Sequence, residues 1–404
     1  MAASSPSPSP PPVRAGEVFR AFLALGSTAF GGPIAHIGYL RQAFVLRRRW
    51  LDESRFAQLL AVCQFLPGPA SSQLALAIGL QRDGGRGALQ AFAGFTLPSA
   101  LLMGLLAALS PRLDAPASAA ALHGLALVAV AVVAHGVVGM ARQLANDVPR
   151  AAIAIVAAAL VLAGGTAWMQ LVAIAFGALA GRWACRTPQA PPAAAFVLPY
   201  GMRTAAVCLA LFLAGLVASL LVPSGGAPTL AGLAAAFYRA GALVFGGGHV
   251  VLPLLQQSVV EPGWIAQDAF LAGYGAAQAM PGPMFSLSAY LGALVELDTP
   301  AWIGATVALL AVFLPGFLLL LAVLPAWSGI AAHPGARRAV AGVNAAVVGL
   351  LAAALYDPVW KHAIDGPLDI AIAAATFALL ARGRLPVLAV VASCVGMAML
   401  AGLR

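Results

Sequence analysis

Apolar residues run along this chain in long blocks, and the polar stretches between them are short. The blocks show no strict alternation, so they predict helices rather than the period-two strands of a barrel. They fall at residues 18–40, 55–80, 88–110, 118–141, 150–164 and 168–184, and then at 204–222. A second series follows at 234–256, 268–295, 301–324, 338–356, 367–382 and 385–403. Two blocks are interrupted alike: "QFLPGPASSQ" (64–73) and "QAMPGPMFSL" (278–287) each place Pro-Gly-Pro inside an apolar run. Proline lacks an amide hydrogen and clashes with the preceding turn, so each triplet breaks a helix. The blocks at 18–40 and 234–256 are broken by glycines instead, in "FGGPIAH" and "FGGGH".

These breaks belong to an internal repeat. At a shift of about 215 residues, Phe22 and Gly26 fall on Phe237 and Gly241, and "FGGP" falls on "FGGG". With one residue of slack, Trp50 meets Trp264, Phe56 meets Phe270 and Gln64 meets Gln278. Pro67, Gly68 and Pro69 then fall on Pro281, Gly282 and Pro283, Ser72 on Ser286, and further on Pro98 on Pro315. The chain therefore reads as a Ser/Pro-rich tail (1–16), one repeat (17–185), a linker with a joining helix at about 204–222 (186–232), and a second repeat (233–404).

Composition fixes the surroundings. The 404 residues are 62% hydrophobic and only 9% charged, with a mean hydropathy of +0.93. Soluble domains carry about 25% charged residues. The chain is expected to be an all-α polytopic membrane protein with the lipid bilayer as its solvent. Its start lacks the apolar core of a signal peptide. Cys63, Cys185, Cys208 and Cys394 have no metal-like spacing, and no Walker A, HExxH or GxSxG pattern occurs. No cofactor, no metal, no nucleic acid and no enzymatic reaction are expected.

Charge then orients the halves. The loop at 41–55 holds five arginines, and its repeat partner at 256–267 has none. Short basic loops mark the cytoplasmic side, so the halves are expected to form an inverted-topology repeat. The pieces flanking the Pro-Gly-Pro breaks are short. At about 12 residues, or roughly 18 Å, they fall below the hydrocarbon core of about 30 Å. Broken or re-entrant helices at the Gly-Gly and Pro-Gly-Pro motifs place most basic residues on one side, and this arrangement is preferred over full spans. Either way the N-terminus is expected in the cytoplasm and the C-terminus in the periplasm.

A helix broken at membrane depth frees backbone groups that lipid cannot satisfy. The half-helix that follows carries a positive dipole end, and its free N–H groups suit an anion. Ser71, Ser72 and Gln73 after the first break, and Ser286 and Ser288 after the second, add donors without charge. Gln64 and Gln278 precede the breaks by three residues. His36 and His249 flank the Gly-Gly breaks and suit binding or proton transfer, with packing as the alternative. Arg239 lies within an apolar block, where a cation is a functional candidate. Acidic residues are absent from block interiors, which argues against a cation carrier.

The segments "FGGPIAHIGYLRQ…RRRW…LAVCQFLPGPASSQLALAIG" and "FGGGHVVLPLL…AAQAMPGPMFSLSAYLGA" resemble the chromate ion transporter family, in its long-chain, two-domain form. The resemblance implies secondary export of chromate across the inner membrane and chromate resistance, with sulfate a chemically similar oxyanion. Export is expected to be driven by the membrane potential, with coupling to sulfate or a proton left open. It implies functional positions at Gly31, Gly32, Pro33, His36, Gln64, Pro67, Gly68, Pro69 and Gln73. In the second half these are Gly246, Gly247, Gly248, Gln278, Pro281, Gly282, Pro283 and Ser286. Family members often carry lysine before the Gly-Gly break, where this chain has Ala24 and Arg239. A sulfate or other anion transporter, including an importer, is the alternative reading. The oligomeric state is left open, with a homodimer as one arrangement.

Overall fold

The computed structural model of the chain describes residues 14–109, 116–164, 167–186, 196–223, 226–245, 251–383 and 385–402. All regular structure within them is helical. The first Gly-Gly break separates α1 (Glu17–Gly26) from α2 (Gly32–Arg41), which runs on through a wide turn at Gln42–Arg47. Asp52 starts α3 (Glu53–Phe65) by accepting the Arg55 N–H at 2.7 Å. Leu66 turns extended, and Pro-Gly-Pro leads into α4 (Ala70–Leu109). α4 is two helices meeting at Asp83 and Gly84, whose backbones leave the helical region. The blocks expected at 55–80 and 88–110 thus fold back on each other at this joint, with Gly79 against Gly87 and Ala91. Then come α5 (Pro116–Leu144), α6 (Val148–Gly164), α7 (Ala167–Ala184) and the joining helix α8 (Met202–Leu221).

The second half repeats this order with α9 (Leu230–Leu243), α10 (Val251–Val259), α11 (Gln267–Ala279), α12 (Leu287–Leu294) and α13 (Ala301–Val323). It continues with α14 (Trp327–Ala332), α15 (Pro334–Ala354), α16 (Lys361–Ala363), α17 (Pro367–Arg382) and α18 (Val387–Gly402). The sequence pattern did not announce the short α14 and α16. α4, α5, α8, α13 and α15 lie in stretches long and apolar enough to cross a membrane. α1 and α2, of 10 residues each, and α3, of 13, are not. At about 1.5 Å per residue they reach only part of the way through a core of about 30 Å.

The halves interlock. α6 and α7 of the first half pack on α15 of the second, and α17 and α18 of the second pack on α5 of the first. Small residues permit this close approach, because lipid supplies no hydrophobic drive between helices and packing must. Gly177 and Gly181 of α7 face Gly342 of α15, and Gly349 faces the Ala154 carbonyl of α6. Gly124 of α5 lies against Val395 and Ala398 of α18. A side chain at Gly342 would meet the Gly177 carbonyl oxygen and the Gly181 Cα, which are backbone and cannot rotate away. Gly342→Val is therefore expected to destabilise the purified protein by about 1–3 kcal/mol, the usual cost of overpacking, read as a lower melting temperature. Gly329→Ala, where nothing lies within 4 Å, serves as control. An unchanged melt for Gly342→Val would refute this crossing.

Candidate functional site at the crossing of the two broken helices

Each Pro-Gly-Pro turn is seated on the opposite half. The Gly68 N–H donates to the Val244 carbonyl at the end of α9, at 2.6 Å. The Gly282 N–H donates to the Ala29 carbonyl just after α1, at 2.9 Å. Ala29 and Val244 precede the matched phenylalanines of the two Gly-Gly motifs. The two bonds are thus one contact made twice, related by the internal repeat. The long helices repeat the pattern. Gly68 packs on Gly316, next to Pro315 in α13, and Gly282 packs on Ser99, next to Pro98 in α4. Each proline removes one backbone donor inside its helix, so the two broken turns meet two long helices at their prolines.

Buried uncharged polar groups line this crossing. Ser71, Ser72 and Gln73 sit in the first turn of α4, and Gln73 is fully buried. The Gln73 Nε2 donates to the Pro67 carbonyl and to the Gly316 carbonyl, both at 2.9 Å. One amide therefore ties the first turn to the opposite long helix. The Ser286 hydroxyl donates to the Pro283 carbonyl at 2.8 Å, and the Gln278 Nε2 reaches the Met284 sulfur at 2.7 Å. The His36 Nε2 lies 3.1 Å from the Ala29 carbonyl. A carbonyl only accepts, so Nε2 carries the hydrogen and Nδ1 is left as an acceptor. His36 thus touches the same carbonyl that seats the second turn.

Several of these groups are unsatisfied. Ser72 Oγ, Gln73 Oε1, Thr96 Oγ1, Ser288 Oγ and His36 Nδ1 are buried without a hydrogen-bond partner among the described residues. Buried polar groups are normally paired, so each of these orphans is a group that a polar occupant would satisfy. No Asp or Glu is buried among the described residues. Hydroxyls, amides and helix N-termini without carboxylates favour an anion.

Other sequence candidates fall differently. Gly31 and Gly32 turn the chain from α1 into α2, and Pro33 opens α2. Gln64 is exposed although its repeat partner Gln278 is buried. Arg239 is half-buried, and its guanidinium donates to the Ser219 and Val222 carbonyls at 2.9 and 3.5 Å, closing the C-terminus of α8. Gly246, Gly247, Gly248 and His249 lie outside the described residues. Thr96, Ser99 and Gly316 were not singled out from sequence. The matched prolines Pro98 and Pro315, with small or polar neighbours, were the available signal.

Two further polar clusters have other roles. Asp369 accepts the Asp365 and Gly366 N–H groups at 3.0 and 3.2 Å and pairs with His123 at 3.0 Å. Together, His123, Asp365 and Asp369 bring three metal-type ligands close, but Asp369 is already committed in the first turn of α17, where it reaches back to the N-cap Gly366. A cavity of about 210 Å³ between α6, α7, α10 and α15 is lined by Gln170, Gln256, Glu261 and Asp357. Its two carboxylates make it a poor home for a dianion.

The chain is 30% identical over 350 residues to the chromate transport protein of Pseudomonas aeruginosa, covering 86% of this chain and 82% of that one. It is 29% identical over 366 residues to the chromate transport protein of Cupriavidus metallidurans, covering 89% and 86%. The probable chromate transport protein of Synechococcus elongatus is 29% identical over 339 residues, covering 83% and 82%. No solved structure matches the chain. A family model described as chromate transporter matches residues 16–182 and 231–402. These relatives and the apolar helices identify a multi-pass membrane protein with a transport role. Because the match spans both repeated halves and includes each Pro-Gly-Pro turn, the chain belongs to the chromate transporter family.

Proposed function

We propose that this protein exports chromate, a tetrahedral dianion, from the cytoplasm across the inner membrane and so confers chromate resistance. The observation that carries the reading is the crossing itself: two matched turns seated on each other's half, with the buried, unpaired hydroxyls of Ser72 and Ser288 after the breaks and no buried carboxylate among the described residues. The repeats at 17–185 and 233–404, joined by 186–232, act as two rocking units of inverted topology. The N-terminus faces the cytoplasm and the C-terminus the periplasm. The anion binds between the Pro-Gly-Pro turns, within reach of Ser71, Ser72, Gln73, Gln278 and Ser286.

The membrane potential suffices as driving force. Each elementary charge crossing 100 mV is worth about 2.3 kcal/mol, so a dianion leaving a negative interior gains roughly 4.6 kcal/mol. Export needs no coupled ion in this reading; were sulfate or a proton coupled, His36, whose Nε2 touches the Ala29 carbonyl, is a titratable group at the crossing. Everted vesicles carrying the protein are expected to accumulate labelled chromate saturably, and faster when the lumen is made positive. Vesicles that accumulate neither chromate nor sulfate would defeat the transport reading. Accumulation of sulfate alone would replace the substrate.

A further inference from the structure

The first half holds a cation cluster that the crossing does not use. Trp50 is buried where the wide turn after α2 ends. The Arg82 guanidinium carbon lies 5.2 Å from its ring centroid, and that of Arg48 lies 5.6 Å away. Arg82 sits on α4 just before the Asp83–Gly84 joint, and its side chain is only 4% exposed. Its one ion-pair partner there is Glu17, at 3.5 Å, which is long for a hydrogen bond. The Arg82 Nε is buried with no partner among the described residues. A guanidinium offers five donors, so this one is under-used in a dry setting. Glu17 meanwhile has a second partner, since it accepts the Arg14 N–H at 3.1 Å.

The mirror position holds no cation, and Glu296 stands where Arg82 stands. Trp264 matches Trp50, but Pro262 stands where Arg48 stands and Gly232 stands where Glu17 stands. Gly232 packs on the Trp264 ring, where an added Cβ would come within 3.3 Å. Residues 240–336 contain no lysine or arginine at all. A scaffold that repeats its core contact so closely has kept the arginine pair in one half only.

We propose that Arg82 and Arg48 form an entry site for a divalent tetrahedral oxyanion at the first-half mouth, and that Glu17 fills it at rest. The site rests on the transport reading above. Two guanidinium groups match a dianion in charge, and the planar fork of arginine suits paired oxygens. An arriving anion displaces Glu17 toward the Arg14 amide and takes the free Arg82 donors. Because the other mouth lacks these cations, capture is one-sided, and a near-symmetric carrier gains a preferred loading face.

The test compares three variants by initial rates of chromate uptake into everted vesicles. Losing a charge-assisted contact raises KM about ten-fold in Arg82→Gln. Arg48→Gln, at an exposed position that threatens folding least, raises it in the same direction. Glu17→Gln removes the internal competitor and lowers KM. If Glu17 and Arg82 merely tie α1 to α4, both variants lower the maximal rate alike with KM unchanged, and the proposal fails. Calorimetric titration of chromate into the purified protein reads the site without flux. The expected order of affinity is Glu17→Gln, then wild type, then Arg82→Gln. Wild-type vesicles without uptake but with that order retained would sink the transport reading and keep the site. Uptake with equal KM values would sink the site alone.

Discussion

Gly68→Ala is expected to reduce chromate uptake to below about a tenth of wild type. Gly68 has φ of 122°, a conformation that L-residues avoid. A methyl there would come 2.7 Å from the Gln73 Nε2 and 3.0 Å from the Gly316 Cα. The first neighbour is the amide that ties the turn to α13, and the second is backbone. Either Gln73 leaves its two carbonyls or α13 moves away. Strained backbone costs about 1–3 kcal/mol and overpacking a similar amount, while about 1.4 kcal/mol is already ten-fold in an equilibrium. Gly282→Ala should be milder, because its nearest neighbour is the Ser99 hydroxyl at 2.9 Å, which can rotate, with the Gly26 carbonyl next at 3.1 Å. Gly38→Ala, where nothing lies within 4 Å, should transport normally. Uptake by Gly68→Ala at the wild-type rate, with equal expression, would reduce Pro-Gly-Pro to a simple bend.

The duplicated plan was legible because it is written in residues whose backbone behaviour is strong. Proline and glycine recur at fixed spacing, and the helices begin and end within a few residues of the apolar blocks. The crossing was not legible, since its defining bonds run from Gly68 and Gly282 to the backbone carbonyls of Val244 and Ala29. A carbonyl has no residue signature. Gln64 and Gln278 look equivalent in sequence, yet only Gln278 is buried. Arg239 reads as an intramembrane cation, but the end of α8 supplies carbonyls to hold it. Arg82 and Glu17 lie just outside the apolar blocks 55–80 and 18–40, and only the fold brings Glu17 to Arg82 and Arg82 to Trp50. The interlock of α6 and α7 with α15 was hidden for a related reason. Runs of alanine and glycine permit close crossing without naming the partner.

Gln73→Glu should convert uptake into a pH-dependent activity. Leu287 stands at the matched position of the second half, so the amide serves one turn only. In the first half its Nε2 faces two carbonyl oxygens at 2.9 Å each. An ionised carboxylate has no hydrogen to offer them and is repelled by both. Burial and repulsion therefore raise the pKa of the new side chain above its ordinary value of about 4.3. The neutral acid can still donate to one carbonyl, so the fold tolerates it at low pH. Stability falls as pH rises from about 4.3 up to the raised folded value, because the unfolded chain ionises first. A buried negative charge would also repel a dianion. Uptake by Gln73→Glu, taken as a fraction of wild type at each pH, is expected to be several-fold higher at pH 6 than at pH 8. Gln73→Leu copies the second half and keeps the volume, but removes the donor from both carbonyls at a cost of about 1–3 kcal/mol. Its fraction of wild-type uptake should be low and the same at both pH values. A flat ratio for Gln73→Glu would mean that this amide does not face the two carbonyls, and that the tie between the first turn and α13 is made elsewhere.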